Sequence, residues 1–527
     1  MGTKDMKKGI IAIFLIIQTI IYIIVGTQKE YIHIDEAYSY GLSNYDKIEI
    51  ENNEDFFNKW HSKEYYNDYL TVQKDEINNF KPVYENQKND VHPPFYYLLL
   101  KIFMNFSGDN FSKWTGIGLN IVIYAFITIF MYLILKRLVN EDEKNANIKA
   151  IILAFVSSVT LASLSNVIYI RMYALLTLEI LITTFMHIKI IESKKQTPKL
   201  LIGIAISVLA GILTHYYYII YLAILYIVFI IKYIKERKIK EIINYTLTML
   251  ITGIVSLIIF PYSIQHMFFG YRGQGVISNL ENIHEIIPSI ISQIHNLNYY
   301  GFNNLMYIIL GIIIVLLIYK KIFKKDILKI SKEQKEILKI IYIPAIFFFI
   351  IATIASPWRV LRYIVPVCGL IFIIAIYYLY KLLQTTFSEK ISNMLITILF
   401  CAIIATPFIC KMEPELLYSD RKELVQKLDE ELNLPTIYLY NSEKAGFLND
   451  ILLFSIIDES YIAKDIKYTE NNIEKILENK DISNGIVIFI SENEKNEETI
   501  KKIVKELNFK NYEYLKRLNT CDVYYIK

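Results

Sequence analysis

Uncharged apolar runs of about twenty residues recur along this chain, separated by short stretches rich in lysine. A bilayer's hydrocarbon core is ~30 Å thick, so a helix needs roughly twenty apolar residues to cross it. A helix also satisfies its own backbone hydrogen bonds, which lipid cannot do. This pattern alone makes the chain a polytopic membrane protein. Composition agrees: of 527 residues, 54% are hydrophobic and only 20% charged, with a mean hydropathy of +0.34. The net charge of +4 is small beside 56 basic and 52 acidic residues. It is no signature of a nucleic-acid partner; membrane lipids are the surroundings this surface expects.

The positive-inside rule sets an orientation. Lys4, Lys7 and Lys8 precede the first apolar run, at about 9–25. No small-x-small cleavage site follows it, so it reads as a retained signal anchor with a cytoplasmic N-terminus. Further basic segments lie at 136–149, 189–199, 232–240, 320–335 and 381–390. Spans are expected near 115–137, 149–169, 172–190, 199–215, 216–232, 241–261, 305–319, 339–355, 363–380 and 391–409. The total is about eleven. Residues 199–232 form one double-length run that must fold back, at His215-Tyr216-Tyr217-Tyr218. Residues 94–106 are apolar but too short to cross, and counting them would put every later basic loop outside. They read as an outer, juxtamembrane helix started by Pro93 and Pro94. The fold class is thus an all-α polytopic membrane module over 1–410, with a first extracytoplasmic loop at about 27–113. A small extracytoplasmic α/β domain follows over 411–527.

In that tail, strands are expected at 436–440, 485–490 and 522–526, where β-branched and aromatic residues concentrate. Helices are expected near 421–432, 471–479 and 497–507. No glycine-rich phosphate loop and no paired catalytic signature occur there, so the domain reads as a stabilising or recognition module. The cysteines (Cys368, Cys401, Cys410, Cys521) lack metal-ligand spacing. Their plain reading is as apolar thiols, although the topology would allow a Cys410–Cys521 disulfide.

Five clusters carry candidate chemistry, and the topology puts all of them on the outer face. His33-Ile34-Asp35-Glu36 follows the first span. Adjacent carboxylates suit a general base or a divalent cation, and equally a solvated acidic loop. Asp90-Val91-His92-Pro93-Pro94 precedes the aromatics Phe95, Tyr96 and Tyr97. Arg171-Met172-Tyr173 begins the fourth span, with Glu179 two turns on. An ionisable group inside a span is a functional candidate, although an Arg–Glu structural pair would explain it too. His215 and Tyr216 sit at the fold-back. Arg359, Arg362 and Tyr363 surround the last cluster with Trp358. Arginine stays charged and grips phosphate bidentately, so this group suits a lipid phosphate or simple headgroup anchoring.

In this order the blocks resemble GT-C glycosyltransferases that use polyprenyl-phosphate sugars. The likeness is to the protein O-mannosyltransferase-like group, meaning glycosyltransferase family 39 and the aminoarabinose-transferase relatives. It is carried by Asp35-Glu36-Ala37, His92-Pro93-Pro94-Phe95-Tyr96-Tyr97, Arg171-Met172-Tyr173-Ala174-Leu175, His215-Tyr216-Tyr217, and Arg362-Tyr363 followed by Pro366. The resemblance implies transfer of a hexosyl or mannosyl unit from a polyprenyl phosphate to an extracytoplasmic glycan, lipid or protein, at the cell envelope. It puts the catalytic acid at Asp35, beside Glu36. The donor phosphate falls to Arg171 and Arg362. His92, Tyr173, His215, Tyr216, Arg359 and Tyr363 complete the expected substrate-binding set. No cofactor is required, but a divalent cation beside Asp35 or Glu36 is compatible. One departure stands out: relatives often carry Gln-Glu-Ala before Arg-Met-Tyr, and here the residues are Ile168-Tyr169-Ile170.

Elementary chemistry agrees with this picture. Breaking an anomeric bond to a lipid phosphate needs positive charge on the leaving group, and the attacking hydroxyl needs a base. The alternatives are a transporter or flippase, which would favour inverted repeats and broken spans, and a scaffold that presents the tail.

Overall fold

The computed structural model describes residues 3–45, 56–139, 146–324, 330–431, 434–440, 447–491 and 496–527. Parts of two expected basic loops, 140–145 and 325–329, lie outside the described residues, as does residue 432 at the end of one expected tail helix. The chain divides into two compact units. The first holds Met1–Gly26, Asp90–Tyr96 and Ile117–Glu415, and the second holds Thr27–Asn89, Tyr97–Gly116 and Leu416–Lys527. Most of the expected first loop therefore falls in the same unit as the tail.

Among the described residues, eight helices are long and apolar enough to cross a membrane: Gly9–Thr27, Lys113–Leu138, Tyr173–Ser193, Tyr218–Lys235, Ile239–Ile259, Lys332–Ala355, Val365–Gln384 and Glu389–Ile409. Two bent pairs join them, Ala146–Ser158 with Leu161–Ile168 at 61° and Ile283–Gly301 with Met306–Ile322 at 96°. Pro198–Thr214 is a shorter apolar helix. Every apolar run expected to span is helical. Their outward side chains are large and apolar, as Leu250, Ile254 and Ile258 on one helix show. In water such a surface would aggregate; against lipid it is the ordinary exterior. The chain is a multi-pass membrane protein.

Inside the first unit, polar groups join helices where apolar contact gives no preference over lipid. Gln18 donates to the Tyr124 carbonyl at 3.3 Å and accepts from Thr128 at 2.8 Å. The Tyr22 hydroxyl donates to the Ser158 carbonyl at 2.8 Å. The double run breaks at the expected place, between Pro198–Thr214 and Tyr218–Lys235. The short apolar stretch after Pro94 is the helix Phe95–Met104. The segment 262–305 contains helices Tyr271–Glu281 and Ile283–Asn296, which are additional to the elements expected from sequence.

The second unit is built on a six-stranded sheet of order β1-β3-β2-β4-β6-β5. The strands are β1 (Trp60–Ser62), β2 (Thr436–Leu439), β3 (Glu459–Ala463), β4 (Ile486–Ser491), β5 (Tyr512–Arg517) and β6 (Cys521–Ile526). β2 pairs in parallel with β3 and β4, and every residue of β2 and β4 is buried, as expected of strands covered on both faces. Helices Ile466–Leu477 and Asn496–Glu506 bury Ile473, Leu477, Ile500 and Ile503 against the sheet. The three expected strands are present. β3 and β5 are additional, and β1 comes from the first loop, pairing antiparallel with β3 through Trp60 and Tyr461.

Candidate active site

In the first unit, the candidate residues lie where helices end. Tyr169 to Met172 link the helices Leu161–Ile168 and Tyr173–Ser193. A helix end leaves carbonyls without partners. Here the Asn120 amide donates to the carbonyls of Val167 at 3.0 Å and Tyr169 at 2.9 Å. The Arg171 N–H donates to the Tyr169 carbonyl at 2.8 Å. Arg171 and Tyr173 are thereby held, both buried. His215 ends one helix and Tyr217 caps the next. Arg362 and Tyr363 occupy the single turn Leu361–Tyr363, just before Val365–Gln384 with its proline in the first turn.

These ends converge. The His92 ring lies 5.8 Å from that of His215, which is 5.5 Å from Tyr173 and 5.0 Å from Tyr217. Tyr363 packs on Tyr173 and Tyr217 at 6.4 and 5.8 Å. Tyr173 stacks on Tyr169 at 5.9 Å, and the Tyr169 hydroxyl accepts from Arg362 Nη1 at 3.0 Å. The position that departs from the relatives' pattern thus holds a neutral phenol against the guanidinium. Arg362 also lies over the rings of Trp358 and Tyr363 at 5.2 and 5.3 Å, and Arg272 covers Trp358 at 4.6 Å.

Burial first, then His92 and Arg171, push the His215 pKa well below 6.5. A neutral imidazole follows. Its Nδ1 accepts from the Tyr217 N–H at 3.0 Å, which assigns the proton to Nε2. Asp90 Oδ2 lies 2.9 Å from His92 Nδ1. Burial raises the Asp90 pKa, but His92 and Arg171 outweigh it and leave it below 3.8. Glu415 is half-buried; desolvation raises its pKa, and a backbone hydrogen bond at Leu361 and then the Arg362 charge oppose that rise. The arrangement offers two guanidiniums, a neutral histidine and several phenols, a set suited to an anionic oxygen.

Two expected members point elsewhere. The Tyr216 hydroxyl is bonded to His266 Nδ1 at 2.9 Å. Arg359 is exposed and paired with Glu285, and its Nε donates to Ser289 at 3.3 Å. Glu179 is buried two turns along the helix that Tyr173 begins. Asp90, Tyr169, Tyr217 and Arg272 carry no role assigned from sequence. Asp90 had a signal in its spacing from His92, and Tyr169 in its departure from the relatives. Ring stacking leaves none.

Asp35 and Glu36 belong to the second unit. They open the helix Ile34–Asn44, which His33 caps: its Nδ1 accepts from the Asp35 N–H, and Glu36 accepts from the His33 N–H at 2.7 Å. This capping box sends the two acids in different directions. Glu36 is wholly buried, 3.0 Å from Lys29 Nζ, which also donates to the Leu416 carbonyl at 2.9 Å. Burial lowers the Lys29 pKa, and Glu36 opposes that. The Asp35 carboxylate is partly exposed, 3.6 Å from His33 Nδ1. Among the described residues, no three His, Cys, Asp or Glu side chains are grouped to hold a metal ion.

Residues 91–262 match the family model described as dolichyl-phosphate-mannose-protein mannosyltransferase. No curated protein matches the chain by sequence. Motifs and fold are similar to those of the GT-C membrane glycosyltransferases. More particularly, the fold is similar to that of ArnT from Cupriavidus metallidurans. The crystal structure of that protein bound to undecaprenyl phosphate matches with a TM-score of 0.53 at 9% identity, covering 98% of each chain. Its apo structure matches at 0.51, with the same identity and coverage.

Proposed function

We propose that this chain transfers a sugar, of hexosyl or mannosyl type, from a polyprenyl-phosphate donor to an extracytoplasmic glycan, lipid or protein. The observation that supports this best is the cluster of Arg171, Arg362, His92, His215, Tyr173 and Tyr363 at the helix ends of a GT-C fold. The crystallised ArnT was bound to undecaprenyl phosphate, a ligand of the class such arginines suit. In the proposed reaction, Asp35 takes the proton of the acceptor hydroxyl. The hydroxyl oxygen bonds to the anomeric carbon, and the bond from that carbon to the phosphate oxygen breaks with its electron pair on the phosphate. Arg171 and Arg362 stabilise that charge, and charge-assisted bonds to guanidinium are among the stronger ones available. His215, neutral, donates from Nε2. Glu36 acts as a positioning residue, because its carboxylate is buried against Lys29. A cation beside Asp35 forms no step here, since Glu36, its second expected ligand, is already engaged. The lysine distribution supports a cytoplasmic N-terminus and an extracytoplasmic C-terminal region in the cell membrane.

The test is transfer by purified protein in nanodiscs, with radiolabelled polyprenyl-phosphate hexoses and a membrane extract as acceptor. Wild type is expected to form product and Asp35→Asn none, with the variant still folded. Wild-type turnover in Asp35→Asn would remove the base role from Asp35.

A further inference from the structure

The helix Ile283–Asn296 has two unlike faces. Ile283, Ile287 and Ile291, spaced by four, are exposed and suit lipid. The opposite face turns polar groups to the segment 355–360. Gln293 donates to the Val360 carbonyl at 2.9 Å, and Asn296 to the Arg359 carbonyl at 3.0 Å. From the preceding helix, Asn279 donates to the Ala355 carbonyl at 3.3 Å. Between these elements lies a pocket of about 240 Å3.

Its chemistry is specific. Asn279, Asn282, Ser289 and Ser356 supply neutral donors and acceptors. Arg359 and Glu285, paired across the same wall, add hydrogen-bonding atoms but no net charge. Ile286, Ile354 and Pro357 give an apolar surface. A phosphate would need uncompensated positive charge, and a hydrocarbon would cover polar atoms that keep spare hydrogen-bonding capacity, since an amide carries two donors and two lone pairs and a hydroxyl two lone pairs. A ring with several hydroxyls and one C–H face satisfies both surfaces. Ser356 connects the pocket to the site above: its hydroxyl is 3.1 Å from that of Tyr217, which packs on Tyr363 and His215.

We propose that this pocket, walled by Asn279, Asn282, Ser289, Ser356 and the Arg359–Glu285 pair, binds an uncharged sugar ring. The proposal deepens the glycosyl-transfer reading and rests on it for the ring's source, either the donor's own sugar or a saccharide of the acceptor.

The experiment uses the full chain in nanodiscs, with methyl α-mannoside, methyl β-glucoside and N-acetylglucosamine as probes in saturation-transfer NMR. Ser289→Leu fills the pocket, and Asn282→Asp charges its rim. Wild type is expected to give saturation transfer from at least one probe, and both variants to lose most of it at unchanged thermal stability. In the transfer assay, each variant should raise one KM about tenfold while kcat stays within roughly twofold. A rise in the donor's KM identifies the donor sugar as occupant, and a rise in the acceptor's KM identifies the acceptor. Probe binding lost in the variants, with no product from wild type, would keep the pocket and sink the transferase reading. Wild-type silence to every probe, or signals that survive in folded Ser289→Leu, overturns the proposal.

Discussion

Replacing Lys29 by methionine should be among the most damaging single changes in the second unit. Lys29 and Glu36 are each 0% exposed and lie 3.0 Å apart. At an effective dielectric near 20, their attraction is roughly 5 kcal/mol before desolvation is counted. Desolvation offsets much of that, so the pair as a whole adds little net stability. Removing one partner is different, because it strands the other charge in a dry site. The expected cost is about 3–5 kcal/mol. For a unit of this size, that lowers the unfolding midpoint by roughly 6–20 °C. The double variant Lys29→Met, Glu36→Gln strands no charge and should recover most of the loss. Differential scanning fluorimetry of wild type, Lys29→Met, Glu36→Gln and the double variant in nanodiscs reads this directly, and transfer activity should follow stability in all four. Asp35→Asn should instead lose activity with its midpoint unmoved. A Glu36→Gln protein as stable as wild type yet inactive would refute the positioning role and return Glu36 to the chemistry.

Tyr169→Phe removes the hydroxyl that accepts from Arg362. A hydrogen bond to a charged group is worth about 1.5–3 kcal/mol, so donor KM should rise roughly tenfold or more, measured by titrating the donor in the transfer assay. Asp450 is buried beside Tyr31, Cys521 and Arg421, and burial lifts its pKa from 3.8 to about 6. The folded state therefore binds the proton more tightly than the unfolded state. Stability from this group is fully present below 3.8 and is lost as pH rises to about 6. At about 1.36 kcal/mol per pKa unit, the change is worth up to roughly 3 kcal/mol. Unfolding midpoints of wild type should fall relative to Asp450→Asn across that window, and parallel curves would contradict the assignment.

The spans were legible because crossing a bilayer is a local requirement, met by length and hydrophobicity alone. The fold-back at His215 and the helix after Pro94 were readable for the same reason, from the length of an apolar run and from proline chemistry. β2, β4 and β6 showed in their β-branched and aromatic content. β3, with the mixed sequence Glu459-Ser460-Tyr461-Ile462-Ala463, did not. It is a strand because β2 and β1 flank it, and β1 lies about 400 residues away. Motif order was enough to bring forward Arg171, His215, Arg362 and Tyr363. What only the tertiary structure decided was where each side chain points. Asp35 and Glu36 are neighbours in sequence, yet a capping box turns one outward and buries the other against Lys29. Arg359 and Arg362 are three residues apart, yet one pairs with Glu285 while the other meets Tyr169. A helix start or a single turn rotates adjacent side chains to different faces, and only packing determines what each face meets.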